Sequence, residues 1–131
     1  MNTAVRYYSK LGNTKTIAEA IAEGAGVSAV SIDAEPELKE RVESLFLGGA
    51  PYANIMAPEL KTYAEKLDAN MVGRVILFTT SNWSRRTVLA LKKMLREKKI
   101  TVDDDYFYAH MLNIKGRVDA AREFGKIKKT D

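Results

Sequence analysis

Apolar residues along this chain alternate between short unbroken runs and stripes of helical spacing, and the alternation repeats from end to end. Ala4 to Tyr8 lies in a first strand of about residues 3–8. Ile17, Ala18, Ile21 and Ala22 then form the stripe of a helix over about residues 14–24, which Gly24 and Gly26 stop. Val27 to Ile32 alternates apolar with small polar residues, as a strand with one softer face does. Pro36 interrupts the chain after it, and residues 37–41 suit one helical turn or a plain connection. Ser44 to Gly49 reads as a buried strand ending in glycines. Pro58 stands where a first helical residue belongs, with Glu59 in the first turn and Leu60, Tyr63, Ala64 and Leu67 as the inward stripe. Arg74 to Thr80 is the clearest buried strand, and Ser81 to Arg86 the loop after it. Val88, Leu91, Met94 and Leu95 mark a helix ending near Lys98 and Lys99. Thr101 to Asp105 is expected to turn, Tyr106 to Leu112 to form a last strand, and Arg117 to about Lys128 a last helix.

Such alternation predicts an α/β fold: a three-layer, doubly wound, five-stranded parallel sheet with helices on both faces. The 131 residues fit one domain, 1–131, with no internal repeat, linker or low-complexity segment. A hydrophobic content of 46% supports a substantial core. The absence of cysteine removes disulfides, thiolate metal sites and thiol nucleophiles, a thiol phosphatase among them. No apolar run is long enough to span a bilayer and no charged-then-apolar leader stands at the start, so a cytoplasmic protein is expected. The net charge of +4 favours acidic partners without naming them; no nucleic acid is expected, and the chain is expected to be a monomer or weak homodimer.

In an open parallel sheet, ligands bind beyond the carboxyl ends of the strands. Three loops are candidates there: residues 9–14, 50–57 and 80–86. The first joins a strand to a helix N-terminus, whose unpaired N–H groups and partial positive charge receive an anion such as a phosphate. Gly12 lets the backbone approach closely, and Ser9, Asn13 and Thr14 surround the point with short polar side chains. The same residues equally suit an ordinary capped turn. Tyr52 and Trp83, on the other two loops, are placed either to clasp a planar ring or to anchor their loops on neighbouring helices. A phosphate at one end and a flat ring at the other describe flavin mononucleotide (FMN).

Val5, Tyr7, Ser9, Gly12, Thr14, Ala18 and Ile21 match the N-terminal signature of the flavodoxin family, with Arg6 where that signature has an apolar residue. Leu45 to Tyr52 resembles the family's third strand and second flavin loop. Phe78 to Trp83 resembles its fourth strand and third flavin loop, and Ala120 to Phe124 its last helix. The resemblance implies a flavodoxin-like strand order 2-1-3-4-5 and an electron carrier that holds FMN non-covalently and serves a redox partner protein. Flavodoxins tend to be acidic, and the basic charge of this chain departs from them and favours an acidic partner. It implies that Ser9, Lys10, Leu11, Gly12, Asn13 and Thr14 hold the phosphate. Ala50, Pro51, Tyr52 and Ala53 would then meet the ring from one loop, and Thr80, Ser81, Asn82 and Trp83 from the other. No catalytic residue and no metal ligand is expected. Lys10 and Leu11 stand where that loop commonly has hydroxyl residues: Leu11 removes a hydrogen bond, and Lys10 either supplies a charge instead or points to solvent. Arg85 and Arg86 would favour the reduced, anionic flavin if they faced it.

The alternative within this architecture is a small FMN-dependent NAD(P)H:quinone or protoporphyrinogen-type oxidoreductase. No long insertion is available to build a substrate pocket over the ring. A phospho-acceptor receiver domain needs an acidic residue ending the third strand, where Gly48 and Gly49 stand. Lone His110 reads as a packed or edge residue, and Asp103 to Asp105 as a solvated turn at the wrong end of the sheet. Lys92, Lys93, Arg96, Lys98 and Lys99 read as a solvated helix face or a docking patch for an acidic redox partner.

Overall fold

The computed structural model describes residues 2–52 and 55–129. Five strands, β1 (Thr3–Tyr8), β2 (Ala29–Ser31), β3 (Val42–Gly49), β6 (Val72–Ser81) and β7 (Val102–His110), form one parallel sheet in the order β2-β1-β3-β6-β7. That is the expected 2-1-3-4-5 order, the extra numbers belonging to a small antiparallel hairpin, β4 (Pro51–Tyr52) with β5 (Ile55–Met56). Helices α1 (Asn13–Ala25) and α4 (Val118–Lys128) cover one face, and α2 (Pro58–Lys66) and α3 (Arg86–Glu97) the other.

The central strands are buried on both faces, which is why β3 and β6 read as continuous apolar runs. Alternate residues feed separate cores. Phe46, Ile76 and Phe78 pack under α1 with Ile17 and Ile21, whereas Leu45, Leu47 and Leu77 pack under α2 and α3 with Leu60 and Leu91. Gly125 lets α4 lie against α1: a Cβ there would run into the carbonyl oxygen of Ile21. The register aligns Tyr8 with Gly49 and Gly49 with Thr79, so the loops after β1, β3 and β6 leave the sheet side by side.

Several boundaries differ from the sequence reading. β2 holds only Ala29–Ser31, and the segment from residue 32 to 41 connects without a helix. Its Pro36 and charged residues lack the apolar stripe that would fix a helix on the sheet. Asp103 and Asp105 lie inside β7, not in a turn before it. β7 is an edge strand, and its acids find cations: Lys128 Nζ is 3.1 Å from Asp103 and 2.8 Å from Asp105. β7 therefore starts and stops earlier than predicted, which puts Met111 and Leu112 in the following loop.

Candidate functional site

The first loop turns on Gly12, whose φ of +99° is a left-handed conformation that other residues adopt at a cost. Helix α1 begins immediately after it with no side-chain cap and no acidic residue in its first turn. Its first intrahelical donor is the Thr16 N–H, to Gly12 O at 3.0 Å, so the N–H groups of Asn13, Thr14 and Lys15 have no helical acceptor. Ser9 Oγ accepts the Gly12 N–H at 3.0 Å. The Lys10 N–H donates to the phenol oxygen of Tyr52 at 2.9 Å, and the Lys10 ammonium sits 4.7 Å from the centre of the Tyr52 ring. Thr14, only 1% exposed, joins its hydroxyl to that of Thr80 at 2.7 Å, fixing the first loop to the third.

Tyr52 stands on the hairpin after β3. Its ring meets Tyr8 edge-on, with centroids 6.2 Å apart, and the Tyr8 hydroxyl donates to Glu59 at 3.0 Å. Burial, and then that hydrogen bond to a carboxylate, raise the pKa of Tyr8 above the ordinary phenol value. Beneath the hairpin, the Thr79 hydroxyl donates to Gly49 O at 2.7 Å.

The third loop is held from β7. The Ser81 carbonyl accepts from the Tyr108 hydroxyl at 3.0 Å and from the Met111 N–H at 2.9 Å. The Trp83 N–H in turn donates to the Tyr108 oxygen at 2.8 Å. His110 accepts the Leu112 N–H on Nδ1, so its neutral ring carries its proton on Nε2 and donates to Asn82 Oδ1 at 2.9 Å. Trp83 packs on this histidine, centroids 4.6 Å apart, yet remains 73% exposed with φ at +71°. A bulky residue in the left-handed region is strained, and such strain collects at functional loops.

These loops enclose a cleft of about 290 Å³ whose lining side chains are all uncharged. Of the predicted contacts, Ser9, Leu11, Asn13, Thr14, Ala50, Pro51, Tyr52, Thr80, Ser81 and Asn82 line it. Lys10, Gly12 and Trp83 lie on the same loops but outside the lining, and Ala53 falls outside the described residues. Ser84 and Met111 also line the cleft. Met111 was hidden by the overlong last strand; its signal is that a parallel neighbour of β6 must also end at this face. Arg85 does not line the cleft: its guanidinium stacks 3.6 Å from the Tyr108 ring centre. Arg86 opens α3 and faces a separate groove. Among the described residues no cluster of acidic or histidine side chains could hold a metal ion, and no helix is long and apolar enough to cross a membrane.

The donor set fits a phosphate ester. It offers an uncapped helix N-terminus, neutral polar side chains and no lining carboxylate to repel an anion. The ring end fits less completely. Among the described residues, Tyr52 and Trp83 do not stack on each other; each leans on a neighbour of its own.

No family model and no curated protein sequence matches the chain. Solved structures do. A flavodoxin, WrbA-like protein from Agrobacterium tumefaciens is 21% identical over 99% of this chain and 96% of its own, with a TM-score of 0.77. A flavodoxin from the domain Archaea is 19% identical over the full length of both, with a TM-score of 0.74. Flavodoxin 1 from Bacillus cereus is 17% identical over 96% of this chain and 97% of its own, with a TM-score of 0.76. The fold is flavodoxin-like.

Proposed function

We propose that the chain is an FMN-binding electron-transfer protein that serves a redox partner. The observation that carries the reading is the start of α1, uncapped and free of acidic side chains, beside an uncharged cleft shared by loops from three neighbouring strands. In this reading the N–H groups of Asn13, Thr14 and Lys15 bind the phosphate, with Ser9, Asn13 and Thr14 adding side-chain contacts. Leu11, Pro51 and Met111 supply apolar surface, and Tyr52 and Trp83 flank the ring. The bound flavin would supply the redox chemistry; the chain has no cysteine to supply it through a thiol. The protein's work is to hold that group, orient it and limit its contact with water.

Titration of the ligand-free protein with FMN, followed by quenching of flavin fluorescence, tests the reading. Saturable quenching is expected; flavin fluorescence unchanged at excess protein would overturn it. Steady-state NAD(P)H oxidation with a quinone acceptor separates the carrier from an oxidoreductase of the same architecture. The carrier reading expects none above the rate of free FMN.

A further inference from the structure

Beside the cleft lies a second depression, a groove of about 760 Å³ between the hairpin and α3. Ile55, Met56, Leu89 and Met94 supply its apolar lining, and Ile55 and Leu89 are 60% and 59% exposed. Large aliphatic side chains gathered on a surface mark a binding face, and methionine adapts to a partner's shape. Lys61 from α2 and Arg86 and Lys93 from α3 stand around these residues, against the single carboxylate of Glu97. Among the described residues none of these three cations forms an ion pair. Arg96, on the same helix, is engaged with Asp104, and Lys98 with the Glu65 carbonyl. The α3 residues involved repeat at three- and four-residue spacing, so a ridged helical face is presented, complementary to the ridges of another helix.

The groove and the cleft share chain segments. Tyr52 lines the cleft while Ile55 and Met56, on the partner strand of the same hairpin, line the groove. Arg86 directly follows the loop that carries Trp83 and Arg85.

We infer that this groove docks an acidic amphipathic helix of a partner protein. Aliphatic side chains at i and i+3 or i+4 enter between Ile55, Leu89 and Met94, and flanking carboxylates meet Lys61, Arg86 and Lys93. The inference deepens the electron-carrier reading, which supplies its use: a helix seated here lies one hairpin away from the cofactor cleft.

Two synthetic peptides test it on the full chain: a Leu/Glu amphipathic helix and its counterpart with Lys at every Glu. Resonances of the labelled protein are followed with and without FMN. The Glu peptide should shift Ile55, Leu89 and Met94 saturably. Binding should weaken with salt and fall roughly tenfold in Lys61→Glu plus Lys93→Glu, two exposed positions whose exchange leaves FMN uptake unchanged. Equal shifts from the Lys peptide would overturn the inference. So would no saturation at millimolar Glu peptide, or shifts that grow with protein concentration alone because a second copy fills the groove. Peptide binding in a chain that takes up no flavin would keep the docking site and remove the carrier. Flavin uptake without peptide binding would do the reverse.

Discussion

The two ends of the cleft are built differently. The end at the start of α1 is set mainly by backbone, a left-handed glycine and an uncapped helix start, on a helix packed against the sheet and α4 and tied to β6 by the buried Thr14–Thr80 side-chain hydrogen bond. The other end, between the hairpin and the third loop, is set by side chains on exposed loops: Tyr52 leans on Tyr8 under the Lys10 ammonium, and Trp83 leans on His110. Backbone geometry is dictated by the fold and costs nothing further when a ligand arrives. A loop aromatic has several neighbours to choose from, and its place depends on what is bound.

Breaking the mount of the stiff end should have the largest effect. Gly125→Ala pushes α4 off the Ile21 carbonyl, and we expect a loss of about 1–3 kcal/mol of stability in denaturant unfolding. Thr14→Val strands the Thr80 hydroxyl in a buried site and should cost about 1–3 kcal/mol, while Thr14→Ser retains most of the stability. The loose end should respond in the opposite sense. Trp83→Gly removes left-handed strain and should be more stable than Trp83→Ala by about 1 kcal/mol, although both lose the ring. Both should also bind FMN more weakly, by about 0.5–1.5 kcal/mol. Tyr108→Phe, which releases Trp83 N–H and one of two donors to Ser81 O, should cost about 0.5–1.5 kcal/mol and loosen only the third loop, seen as faster amide exchange there.

The smallest effect is one of pH. Burial raises the pKa of Tyr63, and burial with the Glu59 contact raises that of Tyr8. Both phenols hold their protons more tightly folded than unfolded. Their contribution is complete below the ordinary tyrosine value of 10.0 and is lost as pH rises through the folded values. Stability should therefore decline on the alkaline side, and less steeply in Tyr63→Phe.

The same division explains what the sequence disclosed. The parallel α/β layers were legible because β3 and β6 are continuous apolar runs and α1 carries a clear stripe. The turn from β1 into α1 was legible because Ser9 and Gly12 act through local geometry, whereas the Thr14–Thr80 hydrogen bond joins residues far apart in the chain and was not. The end of β7 was not: Asp103 and Asp105 look like turn residues until Lys128, far along the chain, is brought beside them. That error concealed Met111. Nor could spacing disclose that Tyr108 and His110 would hold the third loop, since both contacts depend on β7 pairing with β6.

Calorimetry comparing FMN with riboflavin on the same ligand-free protein goes to the centre of this account, because the two differ only in the phosphate. If the α1 N-terminus grips that group, FMN should bind at least about tenfold more tightly, and Gly12→Ala should narrow the gap. Equal affinities, or heat from neither, would contradict it.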